Sequence, residues 1–336
     1  MNSSHNPKLT SAEIAALWSQ YLNDSAAICF NKHILMHLQD PEIKAIFEQA
    51  VLLSQKHMEK IKEFFKAENF PIPIGFTEND TIADTKPLFS DNLSLHFINI
   101  MAIHGCHGYS GAVTTCSRKD VRDYFTECMI SAMEICNRTK DVMLDKGLYQ
   151  RPPALLPPDK VEFVQSDQFI AGWLGDIRPL SCIEITDIYF NLKKSILAKA
   201  VTIAYSQVIH SEKLRKFLLK AVETKDKHIK TFYEILNKDN LPVPSLLDAE
   251  VTDTNIAPFS DKLMMFHVGF LYSTAMIYYE TGFATSPRRD LKPNYLSAIA
   301  DNAQIGSEWL DLMIENRWLE QPPLAQDRDK LSKEKK

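Results

Sequence analysis

Histidine and carboxylate side chains are the groups here whose spacing could do chemistry. Seven of the ten histidines precede residue 108. His33 and His37 are four residues apart, and His104 and His107 three apart, so each pair shares one face if its segment is helical. A carboxylate-bridged di-iron centre in a helical bundle takes one glutamate from each of two helices and Glu-x-x-His from each of the other two. Glu13, Glu48, Glu59, Glu127 and Glu134 lead three residues on to Ala16, Val51, Lys62, Ile130 and Asn137. Glu184, Glu223, Glu234 and Glu280 lead to Asp187, Asp226, Asn237 and Phe283. Ser54 and Lys225 stand three residues before His57 and His228. The standard di-iron motif is therefore absent. The six cysteines have no Cys-x-x-Cys spacing and read as reduced, small core residues of a cytosolic protein. No phosphate-binding glycine motif occurs.

The elements that must position these groups are helices. Only 10 glycines and helix-period apolar spacing through most of the chain predict an all-α fold. The chain is also duplicated. Lys56–Pro73 returns as Lys227–Pro244, with His57, Glu63, Asn69, Pro71 and Pro73 matched by His228, Glu234, Asn240, Pro242 and Pro244. The offset is 171 residues up to this point. It becomes 170 from Phe89-Ser90-Asp91, which matches Phe259-Ser260-Asp261. Each copy reads as four helices with a short turn, a long connection of about 20 residues, and a second short turn. At roughly 3.3 Å per residue such a connection spans a helix of about 25 residues, which is about 40 Å long. One long crossover in a four-helix bundle is the ferritin-like arrangement. The expected organisation is a bundle over 9–150, a proline-rich strap over 151–179, a second bundle over 180–323 and a charged tail over 324–336. The aromatics of the strap, among them Phe163, Phe169 and Trp173, predict that it packs against the body.

Depth in such a bundle can be counted from the helix ends. Asp24, His57, His104, His107 and Glu134 fall at nearly the same level of the first bundle and form a candidate set for zinc or iron. The matching residues in the second copy are Ser195, His228, Thr274, Ile277 and Gln304, so only the histidine is kept. That favours a hydrogen-bonded interior histidine at 57, with no cofactor expected. The His33/His37 pair reads as exposed surface. Gly105, Gly108 and Gly111 read as a close helix contact, because a mid-helix glycine otherwise costs about 1 kcal/mol. Arg118/Asp120 and Arg288/Asp290 read as capping and surface ion pairs. An apolar cleft between the repeats near Trp173 is a further candidate, for a small molecule.

The tandem layout, the two Pro-x-Pro stops, Phe-Ser-Asp-Lys-Leu-Met-Met-Phe-His at 259–267, the strap sequence at 169–180 and Trp-Leu-Glu-Gln-Pro-Pro at 318–323 resemble a family. It is a duplicated ferritin-like family of unknown function from Bacillus-type bacteria, and the resemblance covers residues 9–330. Its single-repeat relatives are similar to spore coat proteins of the coat-protein-F type. The resemblance implies the fold and carries over no catalytic residues. It implies a structural or interaction role in sporulation or the spore coat, in the cytoplasm, forespore or spore, with protein partners (self or other). The alternative is a metal-binding or oxidoreductase protein using the first bundle alone. The net charge of −5 offers no basic field for nucleic acid. Met1–Thr10 lacks the apolar core of a secretory leader. The most apolar run, Met264–Tyr279, is too short for a membrane span.

Overall fold

The structure is a computed structural model and describes residues 7–82, 85–172 and 177–333. Two hairpins of long helices make up each copy. The first holds α1 (Ser11–His37), α2 (Pro41–Ala67), α3 (Asp91–Thr115) and α4 (Lys119–Asp145). The second holds α5 (Cys182–Val208), α6 (Glu212–Lys238), α7 (Asp261–Thr285) and α8 (Lys292–Glu315), and a short α9 (Arg328–Lys333) follows. Among the described residues no helix is long and apolar enough to cross a membrane.

Local chemistry sets the helix ends. Thr10 and Ser181 cap α1 and α5 through reciprocal hydrogen bonds with Glu13 and Glu184. Asp40 caps α2 ahead of Pro41, and Ser90 and Ser260 cap α3 and α7. Past α2 and α6, Asn69 and Asn240 adopt φ of 59° and 53°, the left-handed conformation that asparagine tolerates and that ends a helix. Phe70 N–H then donates to Phe65 O, and Leu241 N–H to Leu236 O.

Two carboxylates fix how the hairpins of the first bundle pack. Asp91, at the start of α3, accepts from the backbone N–H groups of Gln39 and Asp40 at 3.0 and 2.8 Å, so α3 begins beside the α1–α2 turn. Glu13, in the first turn of α1, accepts from Ser117 N and Arg118 N at 2.8 and 2.7 Å, so α1 begins beside the α3–α4 turn. The α2–α3 connection must therefore run the length of the bundle. Asp261 and Glu184 repeat the arrangement on His210, Ser211 and Arg288. Each bundle thus has one long crossover.

The two crossovers clasp each other. Ser260 donates through N–H and Oγ to Asp80 O and Oδ1, at 2.9 and 2.7 Å. Ser90 donates in the same way to Glu250 O and Oε2, at 3.0 and 2.5 Å. Antiparallel bridges join Thr81 to Phe259 and Phe89 to Val251. Gly75 N–H donates to Glu320 Oε1, as Ser245 N–H does to Gln150 Oε1, both at 2.6 Å. All these pairs exchange under the 170-residue offset, so a pseudo-two-fold axis relates the copies. Aromatic contacts across it include Phe30 with Phe259 at 5.3 Å and Phe76 with Phe266 at 4.9 Å. The larger apolar core runs through both bundles.

Three expectations need correction. The strap is exposed over most of its length: Leu156, Val161 and Phe163 are 92%, 91% and 88% accessible. It meets the body at Phe169 and Ile170, where the Arg178 guanidinium lies 4.0 Å from the Phe169 ring centre and Arg289 N–H donates to Ile170 O. Prolines at 152, 153, 157 and 158 keep it extended, and extension alone gives its aromatic no surface to lie on. Trp173 lies outside the described residues. Second, Arg118 and Arg288 are buried, not surface, residues. Arg118 ties Asp120, Glu68 and Pro7 O together, and Arg288 ties Asp290 to Arg178 O. Third, His33 is buried against Phe259 of the second copy, with ring centres 5.1 Å apart. Burial, helped by His37, pushes its pKa down to about 4.

Glu13 and Glu184 carry the carboxylate part of the expected acid response. Burial works against each charge. Hydrogen bonds from Arg118, Thr10 and Ser117 at Glu13, and from Arg178, Ser181 and Arg288 at Glu184, outweigh it and bring both pKa values from 4.5 to about 2. A folded-state pKa below the unfolded value means stability that is complete above pH 4.5 and is lost as pH falls through about 2, on the order of 3 kcal/mol per group. Urea unfolding between pH 5 and 2 should show this loss. Glu13→Gln should lower stability at pH 6 by about 3 kcal/mol and flatten the slope between pH 4.5 and 2 by about one proton. An unchanged slope would remove Glu13 from this role.

Candidate functional site

A cavity of about 300 Å³ occupies the middle of the first bundle and reaches α7 of the second. Phe30, Phe97, Phe125, Phe266 and Phe270 supply much of its wall. The corresponding space in the second bundle is filled. Ala102 becomes Tyr272, whose hydroxyl donates to Ala221 O on α6 at 2.6 Å. The position matching Ala221 is Ala50, which lines the cavity with Ala102. Ser54 becomes Lys225 and Ala132 becomes Asn302, and these two hydrogen bond at 3.2 Å. Gly108 becomes the buried Tyr278. The cavity exists because small residues stand where the second copy has large ones.

The helix spacing agrees. α5 and α7 are closely packed, whereas α1 stands off from α3. A Cβ added at Gly108 or Gly111 would meet nothing within 4 Å. At Gly105 it would lie 3.4 Å from Ala132 Cβ. The glycine run therefore does not mediate close packing at 108 and 111. It leaves an opening instead, bordered by the exposed Gly108 and Ser19.

One end of the cavity is polar, and most of its groups hydrogen bond to one another. Asp24 Oδ1 accepts from Ser54 Oγ at 2.7 Å, and Oδ2 lies 3.2 Å from His57 Nδ1. Both residues are buried. Burial opposes a proton on His57. The hydrogen bond and charge of Asp24, with a contribution from Cys128, prevail and raise its pKa to about 10. His57 thus holds its proton at neutral pH, beside Asp24. Gln20 links the neighbouring groups: its Nε2 donates to Tyr109 Oη at 3.4 Å and faces Cys128 Sγ at 3.7 Å, while its Oε1 accepts from Tyr124 at 3.0 Å.

His104 lines the cavity too, and it is not satisfied. It is 8% exposed, and neither ring nitrogen has a partner. Its ring is stacked 5.7 Å from Tyr278 and set edge-on 5.4 Å from Phe270. Burial, with the nearby charges of Lys194 and His107, pushes its pKa well below 6.5, so the ring is neutral.

The five residues matched by depth thus separate. Asp24 and His57 meet, and His104 shares their cavity. His107 is exposed, with Nδ1 3.0 Å from Ile103 O and 3.2 Å from Tyr278 Oη of the second copy. Glu134 is exposed beside the inward-facing Ile135. Depth was countable; rotation about the helix axis decided the outcome, since one residue turns a side chain by about 100°. Among the described residues no group of three or more His, Cys, Asp or Glu side chains could hold a metal ion. Zinc and iron take three or four protein ligands, so this donor set does not fit them. Gln20, Tyr109, Tyr124 and Cys128 were not picked out from the sequence. The signal that could have found the cavity is the small-for-large difference between the copies on one inward face.

The family described as protein of unknown function (DUF3231) matches residues 1–161 and 168–331. The chain belongs to the DUF3231 family. Its two matched segments correspond to the two bundles. Among curated proteins none matches this DUF3231 chain. A solved crystal structure described as a "putative spore coat protein" from Bacillus halodurans is 17% identical to it, with a TM-score of 0.41, over 45% of this chain and 98% of that one.

The His57–Asp24 pair gives a direct test. In the intact protein the imidazole proton of His57, followed by NMR, should be lost near pH 10. In Asp24→Asn the burial effect is left unopposed, and the pKa should fall below 6.5. A His57 pKa that is the same in both proteins would show that Asp24 does not hold the proton.

Proposed function

We propose that this protein is a receptor for a small molecule, with the first bundle as the binding body and the second as its solid brace. The observation that carries this reading is the cavity of about 300 Å³ in one copy, at the positions where the other copy inserts Tyr272, Lys225 and Asn302. An empty space of that size costs several kcal/mol. Its mixed lining, mostly apolar with a few convergent polar groups, is that of a ligand site.

A second reading, an interaction role, is favoured by the strap, where Leu156, Val161 and Phe163 are exposed on an extended proline-rich segment. The motif resemblance to relatives of the coat-protein-F type supports a spore setting for that role. Deleting 154–166 should leave the thermal midpoint unchanged and abolish any protein association in which the strap takes part.

Ala102→Tyr tests the receptor. The new hydroxyl should reach Ala50 O, as Tyr272 reaches Ala221 O, and fill the space. Stability without ligand should rise by about 1 kcal/mol in urea unfolding. In a thermal-shift screen of small apolar and amphiphilic compounds, the parent protein should be stabilised by some compounds and Ala102→Tyr by none of these. Equal shifts in the two proteins would sink the reading.

A further inference from the structure

We infer that the molecule held by the first bundle is an uncharged cyclic alcohol or phenol whose hydroxyl hydrogen bonds to His104. This rests on the receptor reading of the same cavity and adds the chemistry of the ligand.

Charge comes first. The charged residues in the wall are Asp24 and His57, and they neutralise each other at 3.2 Å. Ser54 takes up a further lone pair of Asp24. A ligand carboxylate or ammonium would have no counter-ion and would be desolvated at high cost. The site therefore selects against charge.

The polar demand comes second. At the Asp24–His57 end the groups bond among themselves through Ser54, Gln20, Tyr109 and Tyr124. His104 differs: it lines the cavity, is more than nine-tenths buried, and has no partner at either nitrogen. A neutral imidazole offers one N–H donor and one lone pair. Leaving both unmet is unfavourable, and orphans of this kind are rare in folded proteins. A hydroxyl can either donate to the lone pair or accept from the N–H, one nitrogen at a time. A ketone or ether would meet only the N–H.

Shape comes third. Phe270 meets the His104 ring edge-on, and Phe97 and Phe266 line the same cavity. They suit a flat or cyclic hydrocarbon body. The volume equals about ten waters at roughly 30 Å³ each, which suits a mono- or bicyclic compound.

Three probes of one shape separate the possibilities: 2-naphthol, naphthalene and 2-naphthoate, titrated into the full-length protein by fluorescence. 2-Naphthol should bind about tenfold tighter than naphthalene and more than tenfold tighter than the anion. Ala102→Tyr should abolish binding of all three, which locates them in the cavity. His104→Leu should retain naphthalene and bring the ratio of 2-naphthol to naphthalene down to about one. Equal binding of 2-naphthol and naphthalene to the parent protein would overturn the hydroxyl assignment and leave the receptor reading intact. Tighter binding of 2-naphthoate would overturn the neutral-ligand assignment. An undiminished preference in His104→Leu would overturn the role of His104. Binding that survives in Ala102→Tyr, or no binding to the parent protein by any probe, would count against both the ligand class and the receptor.

Discussion

Each bundle is closed at its two ends by a carboxylate that reaches from the start of one helix to the backbone of a turn in the other hairpin. Glu13 and Asp91 do this in the first copy, Glu184 and Asp261 in the second. A turn's free N–H groups must find acceptors, and an ionised carboxylate is a strong one. These joints set the separation of the helix ends without reference to what fills the middle. The buried arginines Arg118 and Arg288 reinforce one end of each bundle, where loss of one partner leaves an uncompensated charge. A frame held in this way can keep α1 away from α3 over a hollow that close packing would otherwise remove.

The same frame carries two different interiors. In the second bundle, Tyr272 crosses from α7 to α6, and Lys225 lies with Nζ 4.3 Å from the Tyr272 ring centre and 3.2 Å from Asn302 Oδ1. Lys225 is fully buried, which pushes its pKa down to about 7. His228 changes partners with its surroundings: it faces Tyr279 and Asp301 at 3.1 Å each, where His57 faces Asp24. A histidine kept in both copies thus serves a solid core in one and a cavity wall in the other. Its persistence reflects a shared position in the frame, not a shared reaction.

Much of the frame was legible in the sequence. The repeat, the caps at Thr10, Ser90 and their matches, the asparagines before the Pro-x-Pro stops, and the length of the crossover each have a local cause. What depends on rotation about a helix axis was not legible. His104 and Glu134 had the same standing by depth, yet one faces the cavity and the other faces out. The His33/His37 spacing gives no sign of burial; α1 is buried on a second side by the other copy, where Phe259 covers His33. The strap's prolines were readable, but its exposure depends on whether the body offers a surface along its path. The cavity could not be seen in either copy alone. It is a difference between them at Ala102, Ser54, Ala132 and Gly108.

The reciprocal clasp of the crossovers has a consequence for how such a protein can diversify. Between two separate identical chains the same clasp would make a symmetric dimer, and any substitution would appear in both subunits at once. Hollowing one bundle would hollow its twin. Placing both copies on one chain lifts that restriction: Ala102 can stay small while Tyr272 fills its counterpart. The clasp lets the solid copy steady the hollow one through Asp80, Ser90, Glu250 and Ser260. Asymmetry of this kind is open to a fused pair and closed to a homodimer.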